Sequence, residues 1–248
     1  EDNDGGGPMF LMRKVLPGAG AELVPDVVVL TEGTGDADKG ALGIYRGQRG
    51  RMQIEVTVTG RSCHGSMPWE GLNPLEHGGA ILAEAARRYR EGDGFLDDPF
   101  LGAGSRTASW STLATPSDCA VPDRFTFRFD RRLTVGEEPD QALADIESLD
   151  AVAKAREAGL EVEVDVPVYD QATWKGYALG NPQVYMGWVT PEDHPAIVAA
   201  AKTYRGVVTP NVGSSSEERG ARSERAAGPP KSAAGNPEPR GLQGRDVD

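Results

Sequence analysis

The chain has 248 residues, enough for one large domain or two small ones with a proper core. Its 26 Lys and Arg against 38 Asp and Glu give a net charge of −12 without a basic stripe, which argues against nucleic acid or an anionic membrane as the main partner. Apolar runs such as DVVVL fall far short of the ~20 residues of a membrane span, and no signal-like segment opens the chain, so no membrane is implied and the expected compartment is the cytoplasm. Two cysteines, Cys63 and Cys119, are too few for a secreted disulfide framework.

In chain order, PDVVVLTEGTG is a continuous apolar run ending in Glu32 and glycines, the pattern of a buried parallel strand. Met52, Ile54, Val56 and Val58 then alternate with polar residues, which predicts a strand over 51–59 with one wet face. SCHGSMPWEGLNP follows as a turn-rich stretch, and Asn73 and Pro74 are placed to cap a helix over 74–90. SRTASWSTLA reads as a weaker strand, and Phe125, Phe127 and Phe129 alternate in a stronger one. Leu143, Ile146 and Leu149 at helical spacing predict one helix ending at Gly159, and LEVEVDVPV closes the series as a strand.

The order β-α-β-β-α-β, with two helices able to cover one sheet face, predicts a ferredoxin-like antiparallel module over 48–168. The flanks, with the helix HPAIVAAAKTY, predict a second, incomplete α/β domain from residues 1–47 and 169–212, interrupted by that module. The fold class is therefore α/β plus α+β. From Gly213 the chain is Gly, Ser, Ala, Pro, Arg and Glu, too poor in apolar residues to offset ordering entropy, and a disordered tail over 213–248 is expected.

Few residues stand out for chemistry. His64 sits between a strand and a helix, where polar groups reach solvent or a partner, and Cys63 beside it should point the other way. Arg131 and Arg132 sit at a strand end, where a planar guanidinium could clamp a carboxylate or make a surface ion pair. Glu32 reads alone as a turn cap or a ligand; His77 reads as packed or exposed, and His194 as a surface residue.

Taken together, EDNDG, PDVVVLTEGTG, YRGQRGRMQIEVTVTGRSCHGSMPWEGLNP, CAVPDRFTFRFDRRLTVGE and YRGVVTPN resemble the co-catalytic zinc peptidases and deacylases. That family includes glutamate carboxypeptidase, acetylornithine deacetylase and succinyl-diaminopimelate desuccinylase. IYRGQRGR and SCHGS are most similar to its selenium-metabolism hydrolase branch. The resemblance implies a catalytic domain with two zinc ions per subunit and an inserted ferredoxin-like domain that makes a homodimer. It implies hydrolysis of an amide bond in a small peptide or N-acyl amino acid. Carried over by motif, Glu1 and Glu32 match carboxylate ligands of the two zinc ions, His64 an oxyanion donor for the partner subunit's site, and Arg132 the arginine that binds substrate carboxylate. The family's His-x-Asp segment, its base Glu and its last zinc-binding His have no counterpart here, and Cys119 stands where many relatives have Asn. The expectation is thus a truncated hydrolase without a stable dizinc site, or, in a different class, a non-catalytic dimerisation module.

Overall fold

The computed structural model describes residues 6–31, 43–178 and 180–208, so Glu1, Glu32 and the expected tail lie outside the described residues. Two short helical stretches, α1 (Gly6–Phe10) and its continuation through Leu11–Val15, open the described chain. The module then runs β1 (Gly47–Gln48), β2 (Gly50–Thr59), β3 (Cys63–His64), α2 (Pro74–Glu91), β4 (Asp97–Asp98), β5 (Gly102–Ala103), β6 (Ser105–Ala114), β7 (Ala120–Val121) and β8 (Arg124–Leu133). The chain continues through α3 (Pro139–Glu147), α4 (Asp150–Glu157) and β9 (Glu161–Asp165), the last elements of the module, to β10 (Val168–Tyr169), β11 (Asn181–Pro182), β12 (Val184–Tyr185), β13 (Trp188–Val189) and α5 (Pro195–Val208). None of the described helices is long and apolar enough to cross a membrane.

Alternation builds the sheet. Met52, Ile54, Val56 and Val58 are fully buried, and the residues between them lie half-buried on the other face. β8 runs antiparallel to β2 over its whole length, from Gly50 opposite Leu133 to Thr59 opposite Arg124, so its phenylalanines fall on the same buried face. Phe127 and Phe129 meet nearly edge-on, centroids 5.6 Å apart, an arrangement the ring quadrupoles favour. β6 pairs with the far side of β8, with a bulge between Ala108 and Trp110. β9 pairs with β2 along residues 55–59 and β12 with residues 51–52, which gives the order β9, β2, β8, β6 for the four module strands. That is the ferredoxin-like order, and every pairing within this sheet is antiparallel.

The helices cover the apolar face only. α2 begins as its sequence predicts: Asn73 accepts the Leu75 N–H at 3.1 Å, Pro74 fills the first helical position, and Gly92 ends the helix at φ +75°. It lies close on the sheet because Gly78 has no side chain; a Cβ there would come within 2.4 Å of the Phe125 ring. The second predicted helix is in fact two. Leu149 is extended at φ −65°, ψ 136°, and buried in the core, while the Ser148 hydroxyl donates to the Asp145 carbonyl. The free N–H groups of Asp150 and Ala151 that open α4 are capped by Glu84 of α2, at 3.2 and 2.7 Å. A cap supplied from 66 residues away leaves no local sequence signature.

The run Val27 to Leu30 departs from its reading. Residues 24–31 form no strand, and Val28 and Val29 are 69% and 81% exposed. An all-apolar strand needs neighbours on both sides and cover on both faces, and the described residues supply neither. α5, by contrast, forms where HPAIVAAAKTY predicts it, and the Nδ1 of His194, which is half-buried, accepts the Ala196 N–H at 3.3 Å at its start.

An ion pair is buried deep in the module. Arg131, 2% exposed, donates through both terminal nitrogens to Glu137 at 3.1 and 2.8 Å, and the same carboxylate accepts the N–H groups of Leu96 and Thr134. Burial pushes the Glu137 carboxyl up, but the hydrogen bonds from Arg131, Leu96 and Thr134 outweigh it and hold it below its ordinary value. Glu84 behaves in the same way: burial raises it, and the Ala151 and Asp150 N–H groups with Arg88 and Arg87 bring it below the ordinary range.

Replacing Glu137 by Gln leaves a buried guanidinium without its counter-charge and should cost about 3–5 kcal/mol in urea unfolding. Because both carboxyls have folded-state pKa values below their unfolded ones, their stabilisation is complete above the ordinary glutamate pKa of about 4.3 and disappears as pH falls through the folded values. Stability measured from pH 7 downward should therefore drop below about pH 4.3, and less steeply in Glu137→Gln.

Candidate functional site

The stretch between β2 and α2 is pinned at many points. Arg61 and Leu72 exchange backbone hydrogen bonds at 3.0 and 2.9 Å, the Ser62 hydroxyl donates to the Val121 carbonyl at 2.7 Å, and β3 pairs with β7 so that His64 lies opposite Ala120. The Gly65 N–H then donates to the Cys119 carbonyl at 2.8 Å, and Met67 N–H to the His64 carbonyl at 2.9 Å. Gly65 is required: a Cβ there would sit 2.4 Å from the Cys119 carbonyl oxygen. The sequence offered GS after the histidine as a turn signal; the structure makes it the means of holding His64 in place.

His64 is exposed, and its ring is fixed by one neighbour. The Ser66 N–H donates to Nδ1 at 3.2 Å and the Ser66 hydroxyl lies 2.8 Å from the same atom. An Nδ1 that accepts a backbone N–H cannot carry a proton in the neutral ring, so the proton sits on Nε2. The loop thus presents a hydrogen-bond donor to the outside. Sequence reasoning missed Ser66, although a serine two residues after a histidine in a turn is the available signal. Cys63 takes no part, since its thiol donates to the Met67 carbonyl at 3.2 Å. Cys119, whose carbonyl accepts the Gly65 N–H, is exposed.

Arg132 is elsewhere. It lies on the polar face of β8, where Asp130 holds it through Nε at 2.7 Å and Nη2 at 3.2 Å, and it faces Arg51 across the ladder. His64 follows the opposite end of β2, next to the Arg124 end of β8. Eight residues of strand, about 27 Å at 3.4 Å per residue, separate Arg132 from that end, so one protomer does not bring the two together. Glu1 and Glu32 lie outside the described residues, and among those described no group of three or more His, Cys, Asp or Glu could hold a metal ion.

The ferredoxin-like sheet agrees with the comparison to known families. Residues 46–156 match the M20 peptidase dimerisation domain. This segment is a peptidase dimerisation domain. The dimerisation domain and its flanks are 39% identical over 183 residues to the uncharacterised protein YgeY of Escherichia coli K12, and equally so to that of strain O157:H7. The match covers 74% of this chain, which spans 42% of the length of that relative. Similar solved structures include a tripeptidase from Staphylococcus aureus (17% identity, TM-score 0.44, 66% of this chain and 37% of that one). A hydantoinase/carbamoylase family amidase from Burkholderia vietnamiensis is also similar (20%, TM-score 0.44, 67% and 34%).

Nitrogen-15 NMR at a pH where the ring is neutral should find the His64 proton on Nε2. Gly65→Ala should raise amide exchange at residue 65 at least about tenfold while the Val56 and Phe127 amides keep their protection.

Proposed function

We propose that the chain is part of a metal-dependent hydrolase that cleaves an amide bond in a small peptide or N-acyl amino acid, and that its dimerisation domain joins two copies. In this assignment residues 1–47 and 169–212 belong to the catalytic domain, with Glu1 and Glu32 as zinc ligands, and 48–168 form the inserted module. The observation that carries the reading is His64, an exposed imidazole whose Nδ1 is occupied by Ser66, so that Nε2–H is free to donate. When water adds to an amide carbonyl, charge develops on the oxygen; a donor already fixed toward that position stabilises the transition state without reorganising. Arg132 lies near the chain crossing at Gly50 and His64 at the far end. One subunit's Arg132 and its partner's His64 then complete one site, with the guanidinium fork passing from Asp130 to the substrate carboxylate.

The two free edges of the sheet differ, and the difference supports β6 as the dimer interface. β6 reads SRTASWSTLA, is exposed from Thr107 to Ala114, and has a single charge, the buried Arg106. β9 reads EVEVD and carries three carboxylates in five residues. Charged edges repel a second strand, so two copies join through β6.

In the full-length hydrolase to which this chain would belong, supplied with zinc and N-acyl amino acids, His64→Ala should lower kcat by about 10²–10³-fold with little change in KM. Unchanged turnover would overturn the role of His64. A second reading, a non-catalytic dimerisation module, draws on the lack of a metal-holding group among the described residues; it predicts a dimer without turnover under any metal. In sedimentation equilibrium, Thr112→Lys on β6 should weaken self-association at least about tenfold and Glu163→Lys on β9 should not.

A further inference from the structure

The segment YRGQRGR, residues 45–51, is one of the stretches that carry the family resemblance, yet neither His64 nor Arg132 explains it. Its place in the fold does. The chain enters the module at β1 and, after leaving it, returns to the same place at β13, and these strands pair through only two positions, Gly47 opposite Val189 and Gln48 opposite Trp188. The crossing is tight: a Cβ on Gly47 would lie 2.5 Å from the Trp188 carbonyl oxygen, and one on Gly50 2.5 Å from that of Tyr185. A two-stranded ribbon this short is not stable by itself in water. Another part of the molecule must hold it.

The hairpin of β4 and β5 is that part. Its base is tied to the core, because Leu96 N–H reaches Glu137, Gly104 N–H reaches the Leu96 carbonyl at 3.1 Å, and the Thr134 hydroxyl donates to Gly102 at 2.8 Å. Its tip is set by Asp98, whose carboxylate accepts the N–H groups of Phe100 and Leu101 at 2.9 and 2.7 Å. So positioned, the Phe100 ring lies against the Arg46 guanidinium, 3.9 Å from centroid to carbon. Arg46 in turn donates to the Thr190 carbonyl at 2.8 Å and to Glu192 at 3.1 Å, and its own carbonyl accepts the Thr190 N–H at 2.6 Å. Arg49 closes the frame by donating to the Ala103 carbonyl at 2.7 Å. A guanidinium suits this position because it donates in its plane while an aromatic ring covers its face.

We propose that the hairpin 97–103 is a brace for the two-strand neck, with Arg46 as the residue that joins the entering strand, the leaving strand and the hairpin, fixing the direction in which the chain enters and leaves the module. This holds whether or not the chain is catalytic, since it uses only the neck. Hydrogen exchange on the intact chain tests it at the Thr190 amide. Phe100→Ala and Arg46→Lys should each speed exchange there by about tenfold, with the Val56 and Phe127 amides unaffected, and the double variant should add little to either single one. Phe100→Leu, which keeps apolar bulk and loses the ring face, should act in the same direction and serves if the alanine variant does not fold. Unchanged exchange at Thr190, additive effects, or an equal rise at Val56 and Phe127 would each overturn the proposal.

Discussion

The buried pair of Arg131 and Glu137 is the interaction on which the module's irregular parts depend. Four donated hydrogen bonds meet on one carboxylate, from the guanidinium, from Leu96 and from Thr134, and the ring of Phe95 stacks on Arg131 at 4.2 Å. Gly104 must be glycine for the chain to pass, since a Cβ there would sit 2.4 Å from the Glu137 carboxylate. The pair therefore ties the end of β8 and the approach to α3 to the loop that carries the chain from α2 to β6. An ion pair so buried adds little net stability over an apolar alternative, because desolvation offsets attraction. What it supplies is location: only one arrangement of loop, strand and helix satisfies all four bonds.

Much of the regular structure was legible. β2 and β8 followed from alternation, and α2 from its periodicity, Asn73 and Pro74, because in each case the physical cause lies within a few residues of its effect. The same alternation distinguishes the adjacent arginines: Arg131 shares the parity of Phe125, Phe127 and Phe129 and goes inside, whereas Arg132 faces out. Legibility ended where the cause is remote. The break between α3 and α4 depends on Glu84 of another helix, and the expected strand at Val27 to Leu30 depended on neighbours that its own pattern cannot supply.

The candidate site shows the same division. His64 and the glycines around it could be singled out from their setting, but the state of the ring is decided by Ser66, and the distance to Arg132 by the full-length register of β2 on β8. Sequence proximity of functional letters says little about spatial proximity when a ten-residue strand lies between them.

The unequal edges of the sheet have a consequence for assembly size. A sheet with two receptive edges would accept a neighbour on each side and propagate as a ribbon, because every added copy offers a fresh edge. Here Glu161, Glu163 and Asp165 line one edge with like charges, leaving β6 as the more receptive of the two. In the proposed dimer, two copies joined there would each have used that edge, and growth would stop. In the proposed dimer the acidic strand, which has no part in the proposed chemistry, would be what limits association to two copies.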